Sequence, residues 1–245
     1  MFDFVSLVNQ AGLDEQPPIA ALPPSTFPDR LTLCLDMDDT LTLMSFEQIK
    51  DSKGDILKYD STVAAPDNPE DWGMVYFRPF LRTFLAAVSA KFEVVVFTAA
   101  CKEYADQILD VIDPTKSLIH HRLYRDDCRE CQHSEGMVYL KDLRVLNRDL
   151  KRTILVDNSL LCFACQLDNG IVCNPFRGNQ DDSELITILH VLTIVTAEPQ
   201  IDDVRRLFRK MYGLSRIMAE YQLSGGRYGV NRKKQFENLD TMLRE

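Results

Sequence analysis

One apolar stretch of this chain, Leu31–Leu35, ends abruptly in the acidic segment Asp36-Met-Asp-Asp-Thr40. A nearly continuous apolar run is typical of a strand buried on both faces of a parallel sheet, and ligands of open α/β sheets bind beyond the carboxyl ends of such strands. Asp36 and Asp38 stand two positions apart, so in extended backbone both carboxylates lie on one side while Met37 points to the other. The segment therefore predicts an acidic site at the edge of a parallel sheet.

The paired carboxylates favour a particular chemistry. Without a cation they repel each other and one tends to bind a proton, whereas a hard divalent cation such as Mg²⁺ lets at least one stay ionised. One Asp could then be a nucleophile and the other its acid-base partner. The alternative is structural, because the aspartates of an Asx-turn accept hydrogen bonds from nearby backbone N–H groups.

Two later segments read as strands that also end in polar side chains. Phe92–Phe97 is followed by Thr98, whose hydroxyl could hold a phosphate oxygen. Thr153–Val156 is followed by Asp157 and Asn158, whose oxygens suit Mg²⁺ directly or through water. The three strand ends are therefore expected to meet in one site.

Strands alternate along the chain with helical patterns, which are expected near 79–90, 102–112 and 185–197. Such alternation favours an α/β fold, a parallel sheet with helices on both faces. Leu118–Tyr139, with turn residues at 134–136, reads as a small antiparallel β insertion.

Lys141 offers one ammonium between the last two strands, and it could neutralise charge on a transferring phosphoryl group. The order D-x-D-x-T, strand-Thr, Lys, strand-Asp-Asn resembles the haloacid dehalogenase superfamily of aspartate-dependent phosphotransferases. Longer segments resemble the small C-terminal-domain phosphatases, also called NLI-interacting-factor-like or Dullard-like phosphatases. These segments are Arg78–Leu81, Phe92–Ala99, Lys102–Asp106, Arg122–Cys128, Lys141–Leu143, Asn147–Leu150 and Asp157–Ser159.

The resemblance covers about Leu31 to Val195 and implies a two-step hydrolysis of a phosphoester through an aspartyl-phosphate. It implies that Asp36 is the nucleophile and that Asp38 is the general acid and then the base. The implied Mg²⁺ site comprises Asp36, the backbone carbonyl of Asp38, Asn158 and Asp157, which supports the metal or the lysine; the implied phosphate-binding residues are Thr40, Thr98 and Lys141. Spacing alone predicts only an acidic metal site.

The resemblance also implies a substrate, phosphoserine or phosphothreonine in a protein, with Ser-Pro peptides such as the RNA polymerase II tail as one form. Phe46 and Tyr104 match positions of an apolar pocket suited to a proline-stiffened peptide, and Arg125 matches a position near its entrance. Each has a structural alternative: Phe46 packs on the insertion, Tyr104 belongs to the helix core, or Arg125 pairs with a neighbouring aspartate.

The sequence departs from the family pattern at Asp39, where glutamate is usual, at Cys101, where an apolar residue is usual, and in a long polar segment over 47–72. These departures leave substrate choice open. Two alternatives are a non-catalytic module, as in the mitochondrial import receptor of this family, and a phosphatase for a lipid-metabolism regulator or a small molecule. The complete set of site residues argues against the first.

The expected organisation is an N-terminal extension or linker (1–30), a catalytic domain (31–197) with insertions near 47–72 and 118–139, and a basic helical extension (198–245). From residue 204 onward the net charge is +6, although the chain carries −9 in total. The apolar positions there fit a helix packed on the domain. Without interleaved aromatic and basic residues, no direct nucleic-acid binding is expected.

The seven cysteines form no recognisable disulfide framework, which favours the nucleus or cytoplasm. Cys128-x-x-Cys131 and Cys162-x-x-Cys165, with His133 nearby, are an alternative zinc site. No apolar run reaches the roughly 18 residues of a membrane span, and neither a secretory signal nor a transit peptide is apparent. The sequence leaves the oligomeric state undetermined.

Overall fold

The computed structural model describes residues 18–51, 53–65, 68, 70–133, 136–197 and 202–213 of the chain. Its centre is a parallel sheet with strand order β10-β9-β1-β5-β6. These strands are β1 (Leu31–Leu35), β5 (Phe92–Phe97), β6 (His121–Leu123), β9 (Thr153–Asp157) and β10 (Gly170–Val172). β1 lies in the middle, paired with β5 and β9. The predicted α/β fold is confirmed.

Four α-helices are described: α1 (Leu81–Ser89), α2 (Lys102–Ile112), α3 (Glu184–Ala197) and α4 (Val204–Met211). Their buried side chains share one core cluster with Leu33 and Leu35 of β1. The alternate residue Cys34 belongs to a second cluster, formed with short 3₁₀ segments at Leu143–Leu146 and Leu160–Phe163. Helical segments therefore flank both faces, as alternation along a strand requires, but the second face is covered by single 3₁₀ turns.

Two smaller antiparallel β-units accompany the central sheet in the described chain. β2 (Thr42–Ser45), β3 (Ser61–Ala64) and β4 (Trp72–Phe77) form a sheet with order β2-β4-β3, so part of the 47–72 insertion is β-structure. β7 (Arg129–His133) and β8 (Gly136–Leu140) form a hairpin. The predicted antiparallel insertion over 118–139 is thus confirmed in its second half, whereas β6 pairs parallel with β5 and belongs to the central sheet.

The described part of the N-terminal extension is fixed to the domain. The backbone N–H of Ala21 donates to the carbonyl of Val145 at 2.8 Å, and Leu22 is buried. Arg148 Nη1 donates to the carbonyl of Pro23 at 2.7 Å. Residues 21–23 of the expected extension therefore contact the catalytic domain, while residues 1–17 lie outside the described chain.

The predicted C-terminal helix is present as α4, whose Val204, Phe208 and Met211 are buried. Residues 204–213 carry +4 of the +6 net charge of this segment, and residues 214–245 lie outside the described part. Among the described helices, none combines the length and apolar character required to cross a bilayer.

Candidate active site

The carboxyl ends of β1, β5 and β9 bring Asp36, Thr98 and Asp157 into one cavity. The strand register explains this, because Leu35 pairs with both Val96 and Val156. Parallel strands in register end at the same edge of a sheet, and the side chains that follow them meet there. The sequence expectation of a single site is met for these residues.

A tight backbone turn follows β1 and fixes the segment that carries Asp36 and Asp38. The backbone N–H groups of Leu41 and Thr42 both donate to the carbonyl of Met37, at 2.8 and 3.0 Å, and Asp39 adopts a left-handed φ of 58°. Met37 is fully buried in the core, which agrees with the prediction that it points away from Asp36.

A buried ionic triad, Asp36, Lys141 and Asp157, forms the floor of the cavity. Lys141 Nζ donates to Asp36 Oδ1 and to Asp157 Oδ2, each at 2.6 Å. The lysine is 1% exposed, Asp157 1% and Asp36 6%. Charge-assisted hydrogen bonds of this length are strong, and an ammonium between two carboxylates loses its freedom to rotate.

Two further hydrogen bonds to the floor carboxylates come from residues close to them in sequence. Thr40 Oγ1 donates to Asp36 Oδ2 at 2.7 Å, and the Ser159 N–H donates to Asp157 Oδ1 at 2.7 Å.

Burial by itself lowers the pKa of Lys141, but the charges of Asp157 and Asp36 outweigh it and raise that pKa well above its usual value. The lysine therefore stays cationic.

Asp38 has a different environment from Asp36. Its Oδ1 accepts a hydrogen bond from the Tyr104 hydroxyl at 2.8 Å. Burial, followed by the negative charge of Asp36, raises the pKa of Asp38 to about 6. A raised pKa of this kind is the pattern expected of a carboxyl group that exchanges a proton near neutral pH.

The other predicted phosphate and metal residues lie around Asp36. Thr98 lines the cavity, and its Oγ1 accepts the Ala100 N–H at 3.0 Å. Asn158 Oδ1 lies 3.4 Å from Thr40 Oγ1, the same hydroxyl that contacts Asp36. Thr40 is fully buried, so its hydroxyl orients Asp36 from within the protein.

The cavity above the floor has a volume of about 750 Å³. Tyr104 and Arg125 line it as predicted, but Phe46 does not. The chain turns after β2, where Ser45 Oγ donates to the Glu47 carbonyl at 2.7 Å, and the Phe46 side chain is 57% exposed. Strand alternation therefore stops before Phe46, and Met44 lines the cavity in its place.

The rim of the cavity contains residues that the sequence analysis did not identify. They come from β2, the β7–β8 hairpin and the 3₁₀ segment after β9: Met44, Met137, Val138, Tyr139 and Leu161. The Arg125 guanidinium lies over the Tyr139 ring, 5.1 Å from its centroid, and Arg125 Nε donates to the Ala99 carbonyl at 2.8 Å. The predicted hairpin turn was the one signal that could have indicated part of this rim.

Arg78 is a further residue whose role the sequence did not reveal. It is fully buried, its Nη1 donates to the Thr40 carbonyl at 3.0 Å, and its Nε and Nη2 each bind Asp182 at 2.8 Å. This guanidinium ties the aspartate turn to the start of α3. The turn is held from outside as well, because Arg177 pairs with Asp39.

The alternative zinc site is not supported by the residues that the structure describes. Among them, no three His, Cys, Asp or Glu side chains are grouped as a metal site. Cys131 packs against Leu140 together with Cys165, whereas Cys128 and Cys162 belong to another apolar cluster. Cys131 and Cys162 are buried core residues, and the half-buried Cys128 and Cys165 pack against the same clusters.

The fold and site together define a class of α/β protein in which acidic side chains and one lysine meet at the carboxyl edge of a parallel sheet. A family model described as NLI interacting factor-like phosphatase matches residues 31–205. The chain belongs to this NLI interacting factor-like phosphatase family, which confirms the resemblance inferred from its motifs.

Individual relatives are similar over most of the chain. CTD small phosphatase-like protein 2 of Dictyostelium discoideum is 34% identical over 218 residues, 89% of this chain and 36% of that protein. CTD small phosphatase-like protein 3 of Caenorhabditis elegans is 34% identical over 204 residues, 82% of this chain and 66% of that protein. The chain thus spans between 36% and 66% of the length of these relatives. A solved structure of Fcp1, an essential RNA polymerase II CTD phosphatase, matches 82% of this chain and 68% of that one, with 20% identity and a TM-score of 0.47.

Proposed function

We propose that this protein is a Mg²⁺-dependent phosphoprotein phosphatase that hydrolyses phosphoserine or phosphothreonine through an aspartyl-phosphate. The observation that carries the proposal is the arrangement of Asp36. One of its oxygens is 2.6 Å from the Lys141 ammonium, the other is 2.7 Å from the Thr40 hydroxyl, and the carboxylate lies at the floor of an open cavity. A carboxylate held by fixed donors beside a lysine is positioned to attack a phosphoryl group.

In the first step an oxygen of Asp36 forms a bond to phosphorus while the bond to the serine or threonine oxygen breaks. Asp38 gives its proton to the departing oxygen. In the second step Asp38 takes a proton from water, and the water oxygen attacks phosphorus, which releases inorganic phosphate and restores the Asp36 carboxylate. Lys141 and Thr98 face the phosphate oxygens, and the lysine opposes their negative charge.

The residues present fit a hard cation. Oxygens of Asp36 and Asn158 both lie around the Thr40 hydroxyl, at 2.7 and 3.4 Å, and oxygen donors are what Mg²⁺ prefers. Asp36, Asn158 and the Asp38 carbonyl would hold the ion, which when bound neutralises charge on the phosphoryl group. Asp157 accepts hydrogen bonds from Lys141 and Ser159, and it would support the lysine through its charge or the metal through a water.

A phosphorylated protein is the substrate that best suits the rim. A cavity of about 750 Å³ exceeds what one phosphate needs, and its apolar walls include Met44, Met137 and Tyr139. Arg125 adds a cation to these walls, and the described carboxylates make no ion pair with it. An extended peptide would place its phosphorylated side chain on the floor and its neighbouring residues on the rim. Nuclear or cytoplasmic location stays a prediction.

The decisive experiment compares wild-type protein with Asp36→Asn. Wild-type protein with Mg²⁺ should hydrolyse 4-nitrophenyl phosphate, lose this activity in EDTA and recover it when Mg²⁺ is added back. Asp36→Asn should have no measurable activity, because an amide cannot attack phosphorus or bind the metal as an anion. Asp126→Asn, at an exposed carboxylate, should behave as wild type.

Turnover by Asp36→Asn would falsify the aspartyl-phosphate route. An inactive wild-type protein that still binds phosphopeptides would favour the interaction module. The relative kcat/KM for phosphopeptides and small phosphate esters would separate a protein phosphatase from a small-molecule phosphatase.

A further inference from the structure

The Tyr104 hydroxyl makes a contact that a substrate-pocket wall does not require. It donates to Asp38 Oδ1 at 2.8 Å. In the part of the chain that the structure describes, it is the one side chain that donates a hydrogen bond to the Asp38 carboxylate. This hydrogen bond occupies one carboxyl oxygen of Asp38 and leaves the other, Oδ2, without a side-chain donor among the described residues.

The tyrosine ring is itself fixed in place. It lies on α2, is 6% exposed, and belongs to the main core cluster. α2 is in turn tied to the antiparallel sheet, because the Ala64 N–H donates to the Gln107 side chain at 3.1 Å. A buried ring on an anchored helix has few rotamers available, so its hydroxyl occupies a defined point above Asp38.

We propose that Tyr104 is a positioning residue for Asp38, holding one carboxyl oxygen so that the other faces the leaving group. The proposal rests on the proposed function of Asp38 as the general acid. A general acid contributes only when its proton lies within hydrogen-bond reach of the departing oxygen. A carboxyl free to rotate spends less time in that orientation, and esters whose leaving groups most need protonation suffer most.

The test measures kcat/KM for a series of phosphate esters with leaving-group pKa values from about 7, as in 4-nitrophenol, to that of an alkyl alcohol. The value of kcat/KM reports the step in which Asp36 is phosphorylated, if that step is irreversible. Tyr104→Phe keeps the ring and removes only the hydroxyl. We expect the decrease in kcat/KM caused by Tyr104→Phe to grow from about twofold for the nitrophenyl ester to about tenfold or more for the alkyl ester.

Tyr76→Phe is the matched control. Tyr76 is a buried tyrosine of β4 whose hydroxyl accepts the Ile49 N–H at 3.2 Å, outside the cavity. Its removal deletes the same atom from the core, and any loss it causes should be the same for every ester. Melting temperatures of both variants exclude unfolding as the cause of a rate difference.

A double-mutant cycle tests whether Tyr104 acts through Asp38. Asp38→Asn alone should lower kcat/KM for the alkyl ester by roughly 10² to 10⁴. Adding Tyr104→Phe to that variant should cause no further dependence on the leaving group, because the group it orients has lost its proton.

Equal losses by Tyr104→Phe for all esters, or a full additional loss on top of Asp38→Asn, would overturn the positioning role and leave Tyr104 as a wall or core residue. If wild-type protein with Mg²⁺ hydrolysed none of the esters, the proposed function itself would fail and this role with it. The wild-type rates therefore separate the two failures.

Discussion

The floor and the rim of the cavity are built on opposite physical principles. The floor consists of charges that are almost completely buried, with Lys141 and Asp157 each 1% exposed. The rim consists of partly exposed apolar side chains, with Met137 at 47%. Buried charges are stable only when each partner is present, whereas an exposed apolar side chain can be replaced with little cost to folding. Under the proposed function, we infer that the floor carries out the chemistry and that the rim selects the substrate.

The largest effect on activity and stability is expected from Lys141→Met, which removes the cation of the floor. Loss of the ammonium removes charge stabilisation at the phosphoryl group, so kcat should fall by roughly 10² to 10³. It also leaves the Asp36 and Asp157 carboxylates without their cation, so metal-free protein should lose about 3 to 5 kcal/mol of unfolding free energy. Urea unfolding and steady-state kinetics measure the two quantities.

Lys151→Met is the control for this change, since Lys151 is exposed in the 3₁₀ segment before β9. Lys141→Arg restores charge and should recover more stability than activity, because a guanidinium cannot occupy the ammonium position. Wild-type rates in Lys141→Met would show that the floor is structural.

A smaller and selective effect is expected from Met44→Ala on the rim. A side chain of this size is worth about 1 to 2 kcal/mol of apolar contact, so kcat/KM for a phosphopeptide with an apolar neighbour should fall about tenfold. For a small aryl phosphate, the change should stay below about threefold, because that ester does not reach the rim.

Phe46→Ala is the matched test of the residue that the sequence favoured. Because Phe46 is exposed outside the cavity, its change should alter neither substrate by more than about twofold. A tenfold loss on the peptide with Phe46→Ala, and none with Met44→Ala, would reverse the assignment of the rim.

The smallest effect on activity is expected at the other end of the central sheet, where Glu93 forms a buried ion pair with Arg148. Its two carboxylate oxygens each accept from Arg148 at 2.7 Å, and Thr32 adds a third hydrogen bond at 3.0 Å. Burial by itself raises the pKa of Glu93, but these hydrogen bonds and the Arg148 charge lower it to about 2. Unlike the floor, this cluster lines no part of the cavity.

Glu93→Gln should therefore lower stability while activity at pH 7 stays within about twofold of wild type. A depressed carboxyl pKa stabilises the folded state fully above the ordinary value near 4.5, and this contribution is lost as the pH falls towards about 2. The difference in melting temperature between wild type and Glu93→Gln should thus be largest near pH 6 and should shrink at pH 3. A difference independent of pH would show that the Glu93 charge is not its origin.

The sequence by itself determined the strands, their polar ends and the order of the motifs. Leu31–Leu35 and Phe92–Phe97 are the strands expected, and α2 spans Lys102–Ile112 as its periodicity predicts. Such features depend on residues close in sequence, through burial on both faces of a strand or one face of a helix. The chemistry-bearing residues follow directly from where those elements end.

Only the tertiary structure decided which groups touch. Lys141 and Asp36 are 105 positions apart, yet their atoms meet at 2.6 Å, and no local pattern encodes that the same ammonium also binds Asp157. Met44 lines the rim and Phe46 does not, because the chain turns directly after β2. Contacts of this kind arise from the packing of distant elements, in which a small backbone rotation moves a side chain from a cavity to solvent.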